Sequence, residues 1–322
     1  MAGDSAHARR SLGRSARELG KIQFRKLFEL GQRAGVDVLP RHFYSEVPDI
    51  RWMRRTSGWR RPYTMAAVGG AELGRQLEFV RRCSSADVVS AAADVHERAC
   101  QANGAKGYGP IEAQFLYCFE RSQRPAQIIQ IGAGVSTAVL LQAAADAGYE
   151  PQLTCIDPYP TGYLKSLAGM DRIRLIEAPA QEVALEELTD VHKGDLLFVD
   201  STHTVRPGNE VNRIVLEALP RLEPGVFVHF HDITFPYDYS PGVLDADLFF
   251  WNETALLLAF LTCNPAFEIR AAFSMLHDGA SDELRAILPD YRPEKHDRGI
   301  AQRGGEGGHF PSSAYLQRVA EP

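Results

Sequence analysis

The chain has 322 residues, 45% of them hydrophobic, which is enough to bury a large core. No apolar run reaches the roughly 18 residues that a membrane-spanning helix needs, and the first 20 residues lack the apolar region of a signal peptide, so we expect a cytoplasmic protein without a membrane partner. The five cysteines are scattered and show no C-x-x-C spacing, which argues against a disulfide framework and against a zinc knuckle.

Charge is unevenly distributed along the chain. Residues 1–61 hold 14 Lys and Arg against 6 Asp and Glu, or +8, and the formal net charge of −6 therefore leaves −14 for the remainder. We expect this basic arm to pack on the acidic body or on a second subunit of a homodimer. No RNA-binding signature is present, so no nucleic-acid partner is expected.

The N-terminal part predicts an arm followed by a helical cap. Apolar residues recur at helical intervals in three stretches, which are Ala16–Ala34, Ala71–Ala102 (one or two helices) and Ile111–Arg121. The proline-bounded segment Val36–Pro48 indicates an extended conformation, and the segment Trp52–Pro62, rich in Trp and Arg, indicates a lid. The predicted domains are a mobile basic tail (1–15), a helical cap or lid (16–125) and an α/β domain (126–322).

From Ala126 onward, short apolar runs alternate with helical patterns, which is typical of βαβ units and a parallel sheet. The predicted strands are Ile128–Ile131, Leu153–Ile156, Ile173–Ile176, Leu196–Val199, Val226–Phe230, Phe267–Phe273 and Ala314–Val319. The predicted helices are Thr137–Ala147, Ala180–Leu188, Asn209–Leu219 and Asp247–Leu261, and the glycines of Arg303–Gly308 predict a turn. The fold class is therefore α/β, a Rossmann-like seven-stranded and mostly parallel sheet with an N-terminal helical cap.

A glycine turn follows the first predicted strand of this domain. Gly132 and Gly134 lack side chains, and the helix that begins after them offers free N–H groups, so the backbone can approach a nucleotide closely. Asp157 ends the next strand 20 positions after Thr137, where a carboxylate can accept both hydroxyls of a ribose. Thr137 replaces the third glycine of a dinucleotide fingerprint, which weakens the NAD interpretation, and no phosphate-loop Gly-Lys-Ser/Thr is present.

At these residues the chain resembles the class I S-adenosylmethionine-dependent methyltransferases, whose first motif is an acid-x-Gly-x-Gly turn followed by an acid that ends the next strand. Residues 196–211 and 219–239 are similar to the fourth and fifth motifs of the methyltransferase domain 24 family. His42-Phe-Tyr-Ser-Glu-Val-Pro48 and Trp251-Asn-Glu253 also resemble that group. One departure is Gln130, which stands at the acidic position of the first motif.

The resemblance implies S-adenosylmethionine as cofactor, a small-molecule acceptor and an antiparallel last strand. Its methionine part would lie against the glycine turn and its ribose against Asp157. Residues that follow the second and third strands would hold the adenine. The predicted cofactor-binding residues are Gln130, Gly132, Ala133, Gly134, Ser136, Asp157, Pro158, Ala180 and Gln181.

An acid–histidine cluster is predicted where the fourth and fifth strands end, formed by Asp200, His203, His231 and Asp232. Adjacent parallel strands lie about 4.8 Å apart, so these side chains can converge. Methyl transfer is an in-line displacement from a sulfonium, and a hydroxyl acceptor must lose a proton near neutral pH. An unperturbed imidazole titrates in that range, which makes His203 the candidate general base, with the other three as orienting groups.

The spacing is also similar to that of catechol-type O-methyltransferases, where an Asp ending the fourth strand and an Asp-Asn pair ending the fifth hold Mg²⁺. Asp200 keeps its place, the pair His231-Asp232 replaces Asp-Asn, and His203 stands at the position of the base. Asp200, His231 and Asp232 are thus candidate metal ligands. His is a poor Mg²⁺ ligand but a good one for Zn²⁺, Fe²⁺ or Mn²⁺, so the replacement of Asp-Asn by His-Asp weakens the analogy with a Mg²⁺ site. Metal-free catalysis by His203 is therefore favoured over a divalent metal.

Several neighbouring residues have a structural interpretation as well. His229 is expected to hydrogen-bond a neighbouring loop, and Tyr44, Tyr108 and Tyr237 are expected to pack as aromatics. Asn252 and Glu253 open a helix or orient His231 or the substrate.

Oxygen methylation is the favoured reaction, and three other functions stay open. An N-methyltransferase acting on an amine or peptide-like substrate would use the same site. A nicotinamide oxidoreductase would share the glycine turn, and a catalytically inactive scaffold would retain the fold.

Overall fold

The computed structural model describes residues 23–24, 26–39, 41, 43, 45–239, 241–244, 250–289, 291 and 311–320. The chain divides into two compact units, Met1–Met53 and Arg54–Pro322, and each is described by itself. Several predictions fall outside the described residues: the tail (1–15), His42 and Tyr44, residues 247–249 of a predicted helix, and the turn Arg303–Gly308.

In the first unit, residues 26–33 are helical (α1), which confirms the first predicted helix over its described part. The described residues of Val36–Pro48 form neither helix nor strand. Asp49 begins the next helix, because its carboxylate accepts the backbone N–H groups of Arg51 at 2.9 Å and Trp52 at 3.2 Å. That helix is α2 (Ile50–Arg55).

In the second unit, helices flank a seven-stranded sheet. Its strands are β1 (Gln127–Ile131), β2 (Gln152–Ile156), β3 (Arg174–Ile176), β4 (Leu196–Val199), β5 (Phe227–Phe230), β6 (Phe267–Ala272) and β7 (Ala314–Arg318). The helices before the sheet are α3 (Leu73–Cys83), α4 (Ala86–Ala91), α5 (Val95–Asn103) and α6 (Pro110–Gln123). Those between or after its strands are α7 (Val135–Asp146), α8 (Gly162–Gly169), α9 (Leu185–Leu188), α10 (Glu210–Arg213), α11 (Glu253–Leu261), α12 (Phe273–Gly279) and α13 (Ser281–Ile287).

The strand order is β3-β2-β1-β4-β5-β7-β6. Strands β1 to β5 pair in parallel, and β7 is antiparallel to both β5 and β6. This confirms the mostly parallel Rossmann-like sheet and its antiparallel last strand. Because the order reverses direction at β1 and β4, the carboxyl ends of these two central strands border the crevice in which such sheets bind ligands.

Each face of the sheet carries its own apolar core. Alternate strand residues point to opposite faces, so Ile128 and Phe198 join one core while Ile129 and Leu197 join the other. The first core also contains every buried apolar residue of helix α6. None of the helices in the described part of the chain is long and apolar enough to cross a membrane.

The main errors of the sequence prediction concern helices. The predicted strand Phe267–Phe273 ends one residue early, and Phe273 begins α12. A continuous apolar run does not show where the strand period of two residues gives way to the helical period of 3.6. Helices α2, α8, α12 and α13 were not predicted, and the one or two helices predicted over Ala71–Ala102 are three, α3 to α5. The predicted helix Ala180–Leu188 is a 3₁₀ turn over Ala180–Glu182 followed by α9. The predicted helix Asn209–Leu219 is divided into α10, a π-helical turn over Ile214–Ala218 and a 3₁₀ turn over Leu219–Arg221. Residues 250–252 are not helical, so α11 begins later than predicted.

A buried carboxyl on α6 makes the stability of this unit depend on pH. Glu120 is 0% exposed, and its carboxyl accepts a hydrogen bond from the Tyr149 hydroxyl. Burial disfavours the charged form and raises the pKa of Glu120 from 4.5 to about 8. The folded protein therefore retains a proton that the unfolded chain releases at lower pH.

We expect Glu120→Gln to remove this dependence, because the amide still accepts from Tyr149 and does not ionise. Relative to the variant, the wild-type free energy of unfolding should fall by about 1.4 kcal/mol per pH unit as the pH rises. The fall should lie between about pH 4.5 and about pH 8. Urea denaturation across that range measures it, and Glu78→Gln on the exposed face of α3 is the control. Parallel profiles for wild type and Glu120→Gln would contradict the buried, protonated carboxyl.

Candidate functional site

The carboxyl ends of the central strands are joined by backbone hydrogen bonds. The Asp200 N–H, just past β4, donates to the Ile131 carbonyl at 2.9 Å, and the His231 N–H, just past β5, donates to the Val199 carbonyl at 2.9 Å. Each loop residue is thus fixed against the last residue of the neighbouring strand. The convergence expected from the sequence is confirmed.

Gly132 is required by the fold before any ligand is considered. Its φ is +78°, and a Cβ added there would lie 1.7 Å from the carbonyl oxygen of Asp200. No other residue fits such a close backbone approach in the left-handed region. Gly132 therefore allows the glycine turn and the acid-bearing end of β4 to lie side by side.

Internal hydrogen bonds occupy the backbone donors of the glycine turn. The Ala133 N–H donates to Asp157 Oδ2 at 3.0 Å, and the Gly134 N–H donates to Thr137 Oγ1 at 3.0 Å. The other carboxylate oxygen of Asp157 accepts the Tyr159 N–H at 2.7 Å. Asp157 thus ties the ends of β1 and β2 together and, being only partly buried, keeps lone pairs for a ligand.

Gln130 takes part in the same internal network. It is 0% exposed, its amide nitrogen donates to Ser136 Oγ at 2.7 Å, and its amide oxygen accepts from Thr137 Oγ1 at 2.9 Å. A neutral amide suits this position because it donates and accepts at once, which a carboxylate cannot do. The departure from the acidic motif therefore has a structural reason, and the predicted contact of Gln130 or Ser136 with a cofactor would require these bonds to be exchanged.

The residues predicted to hold adenine lie beyond the ends of β2 and β3. Pro158 is exposed after β2, while Ala180 is buried and Gln181 half-buried in a 3₁₀ turn after β3. The Gln181 carbonyl accepts a hydrogen bond from the Arg213 guanidinium, which fixes this turn on α10. Their role toward a cofactor stays a prediction.

The predicted acid–histidine cluster is assembled in the structure. His203 Nε2 lies 3.4 Å from Asp200 Oδ1 and 3.5 Å from Asp232 Oδ2. His231 Nδ1 lies 3.3 Å from the same oxygen of Asp200 and 3.5 Å from that of Asp232. Two imidazoles and two carboxylates therefore face each other at the carboxyl edge of β4 and β5.

Glu253 is a member of the site that the sequence placed only loosely. Its carboxylate lies 2.9 Å from His203 Nδ1 and is 1% exposed, so this bond fixes the imidazole from the side opposite the two aspartates. The backbone N–H groups of Asn252 and Glu253 both donate to the His203 carbonyl at 3.2 Å. Glu253 opens α11, as expected, but its partner is His203 rather than His231. No sequence pattern pairs residues 50 positions apart.

His229 and Tyr108 form a buried pair beneath the cluster. The Tyr108 hydroxyl lies 3.0 Å from His229 Nε2, which confirms that His229 hydrogen-bonds a neighbouring loop. The ring of Tyr108 packs against that of His231, with a centroid distance of 4.8 Å. Burial lowers the pKa of His229 to about 3, so this imidazole is neutral. Tyr108 is thus a packing aromatic, as predicted, but one that contacts a predicted site residue.

Ser312 also belongs to the site and was missed. Its hydroxyl donates to Asp232 Oδ1 at 2.9 Å, and its N–H donates to Glu112 Oε1 at 2.8 Å. The segment before β7 thereby orients one carboxylate of the cluster. An isolated Ser that is 80 positions from its partner carries no signal in a single sequence.

Opposite charges dominate the protonation of the cluster. Burial alone would lower the pKa of His203, but its hydrogen bonds to Asp200 and Glu253 outweigh burial and raise that pKa well above its ordinary value. For His231, burial is likewise outweighed by Asp232 and Asp200, which raise its pKa to about 9. Burial raises the pKa of Asp200, yet both imidazoles hold it well below its usual range.

The donor set fits a divalent cation. Asp200, His203 and His231 each offer a ligand atom, and these atoms lie within 4.8 Å of one another. Among the described residues, neither ring nitrogen of His231 has a hydrogen-bond partner, although the residue is only 7% exposed. Two imidazoles with carboxylates suit Zn²⁺, Fe²⁺ or Mn²⁺ better than Mg²⁺. The three residues that converge in this way include His203. The sequence analysis instead named Asp232 as the third candidate ligand, and Asp232 lies beside both imidazoles.

Comparisons with known proteins identify part of the chain. The model of a methyltransferase domain matches residues 129–233. The match covers less than half of the chain and identifies this part as a methyltransferase domain. The matched segment runs from β1 to just past β5 and therefore contains all predicted site residues, from Gln130 to Asp232.

The methyltransferase domain also has individual relatives. An uncharacterised protein of Archaeoglobus fulgidus is 24% identical over a 159-residue alignment that covers 45% of this chain and 70% of that protein. A solved O-methyltransferase from Bacillus cereus is similar over 70% of this chain and 91% of its own, with 13% identity and a TM-score of 0.43. An SAH-bound methyltransferase from Podospora anserina is similar over 88% and 99%, with 15% identity and a TM-score of 0.39.

We expect Gly132→Ala to destabilise the methyltransferase domain by about 2 kcal/mol or more, because the methyl group would overlap the Asp200 carbonyl and force a left-handed φ on Ala. Gly74→Ala on α3 is the matched control. A Cβ there meets nothing within 4 Å, and the change should stabilise by about 0.5 to 1 kcal/mol. Chemical denaturation measures both, and equal stability of Gly132→Ala and wild type would contradict the close approach.

Proposed function

We propose that this protein transfers a methyl group from S-adenosylmethionine to an oxygen of a small-molecule acceptor, with His203 as the general base. The observation that carries the proposal is a buried imidazole, fixed by Glu253 on one nitrogen, at the strand edge beside the glycine turn. Methyl transfer to a hydroxyl needs such a positioned proton acceptor.

The chain's own residues support the cofactor part of this proposal. Bound S-adenosylmethionine would supply an electrophilic methyl group on a sulfonium. The glycine turn lets the cofactor come close to the backbone, because the glycines have no side chains. Asp157 presents carboxylate oxygens beside that turn. Gln130, Ser136 and Thr137 hold the turn in shape.

His203 is oriented to take a proton at Nε2. The Glu253 carboxylate binds Nδ1 at 2.9 Å, which selects the tautomer with its proton on Nδ1 whenever the ring is neutral. The same carboxylates stabilise the imidazolium and raise the pKa of His203, so the ring must release the proton they hold at Nε2 before it can accept one from the acceptor. A base of this kind favours a hydroxyl acceptor, since an amine that binds in its neutral form needs no base for its attack. N-methylation remains the second candidate because the same site would accommodate it.

A divalent cation would be held by Asp200, His231 and Asp232, leaving His203 as the base. Its chemistry there would be to favour the ionised form of an acceptor oxygen and to offset the carboxylate charge that keeps His203 protonated. Metal ligation by His203 itself is the competing assignment, since its ligand atom belongs to the same group. A ligating imidazole has no free nitrogen on that side, so His203 cannot fill both roles.

The general-base role predicts that His203→Ala retains cofactor binding and loses turnover. We expect affinity for S-adenosylhomocysteine, measured by calorimetry, to stay within about twofold, while S-adenosylhomocysteine release with a panel of catechols and phenols falls by about 10² to 10⁴. His192→Ala, an exposed histidine before β4, is the control and should keep full turnover. Unchanged turnover in His203→Ala would remove His203 from the mechanism.

The cofactor is tested with the same titration. Binding of S-adenosylhomocysteine by the wild type, without binding of NAD, is the expected result. Tight binding of NAD alone would favour an oxidoreductase, and binding of neither would favour an inactive scaffold.

A metal titration separates the two assignments of His203. We expect chelator-treated protein to bind one equivalent of Mn²⁺ or Zn²⁺, and we expect His231→Ala to weaken binding by about tenfold or more, as loss of a ligand does. If His203 is the base, His203→Ala should bind the ion as the wild type does. A loss equal to that of His231→Ala would instead identify His203 as a ligand.

A further inference from the structure

The glycine turn offers no evident hydrogen-bond donor to the amino-acid end of the proposed cofactor. S-adenosylmethionine carries an amino-acid end with an ammonium and a carboxylate. The N–H groups of Gly132, Ala133 and Gly134 are all donated internally, to Ile156, Asp157 and Thr137. A carboxylate bound at this turn therefore needs donors from outside it.

Asn103, the last residue of α5, lies directly against the turn. A Cβ built on Gly134 would be 3.4 Å from Asn103 Nδ2 and 3.7 Å from Oδ1. The Asn103 amide oxygen accepts the Thr161 hydroxyl at 2.9 Å, and Thr161 caps α8 in turn. This bond fixes the orientation of the amide, and within the described part of the chain its NH₂ group donates no hydrogen bond.

The loop after Asn103 carries a cation, Lys106, on a segment that passes the start of α7. A Cβ on Gly107 would lie 3.9 Å from Val135 Cγ2, so the loop runs along the first residue of α7. Lys106 precedes Gly107 and is exposed, and no carboxylate among the described residues lies within 4.0 Å of its ammonium. Its flexible four-carbon stem can carry the charge over the turn.

We propose that Asn103 and Lys106 recognise the amino-acid end of the cofactor, the Asn103 NH₂ group and the Lys106 ammonium both donating to its α-carboxylate. This assignment rests on the proposed function. Two features make it specific: the amide is already oriented by Thr161, and the ammonium has no competing ion pair within the described residues. The N-terminus of α7 adds a favourable dipole at the same point.

The carboxylate can be tested apart from the rest of the cofactor. S-adenosylhomocysteine contains the amino-acid end, whereas 5′-methylthioadenosine has the same adenosine and thioether without it. Lys106→Met should weaken binding of S-adenosylhomocysteine by about tenfold, the effect of losing one charge-assisted hydrogen bond, and change that of 5′-methylthioadenosine by less than about twofold.

Asn103→Asp is the sharper variant because it is isosteric. Aspartate still accepts from Thr161, so the loop keeps its anchor, but a carboxylate replaces the donor and repels the ligand carboxylate. We expect a loss of about tenfold or more for S-adenosylhomocysteine and a much smaller loss for 5′-methylthioadenosine. Lys193→Met, before β4 at the opposite edge of the sheet, is the control for removal of a surface charge and should leave both affinities unchanged.

Calorimetry on the full chain, with thermal melting of each variant to verify folding, gives the answer. Equal losses for both ligands, or no loss for either, would overturn the assignment while leaving the proposed function intact. Failure of the wild type to bind S-adenosylhomocysteine at all would overturn the proposed function and this inference with it.

Discussion

The contact on which the site depends is the one between two strand ends, where Gly132 passes against the Asp200 carbonyl. Because no Cβ intervenes, the turn after β1 and the acidic residue after β4 share one small region of the sheet edge. The Asp200 N–H then bonds back to the Ile131 carbonyl, so the approach is fixed in both directions. The glycine turn and the acid–histidine cluster are therefore adjacent because of backbone geometry, before any side chain contributes.

The side chains of the glycine turn and those of the cluster differ in how fully their hydrogen bonds are satisfied. In the turn, the Gln130 amide bonds to the hydroxyls of Ser136 and Thr137. Asp157 accepts the Ala133 N–H, so the polar groups of the turn bond to one another. In the cluster the balance is reversed: among the described residues His231 Nδ1 has only the ion pairs with Asp200 and Asp232, and Nε2 has no hydrogen bond, although the side chain is buried. Unsatisfied buried polar atoms are costly and concentrate where a ligand completes them. The turn is therefore satisfied internally, whereas the cluster offers polar atoms to a ligand.

The sequence predicted the sheet well because its strands are short apolar runs with polar residues at their ends. Asp157, Asp200 and His231 were found since position in an α/β sheet dictates where such residues go. Glu253 and Ser312 lie far along the chain from their partners, so only tertiary packing brings them in. The protonation state of His203 was also beyond the sequence: its identity suggests an ordinary pKa, but the three carboxylates around it decide the charge.

The loop between α5 and α6 connects the two parts of the site. Asn103 lies on the glycine turn, and only five residues later Tyr108 packs its ring on His231 while its hydroxyl bonds His229. Tyr108 takes a φ of +43°, a costly conformation for a residue with a side chain, which persists only where surrounding contacts determine it. The same short loop therefore contacts both the glycine turn, through Asn103, and the cluster, through Tyr108.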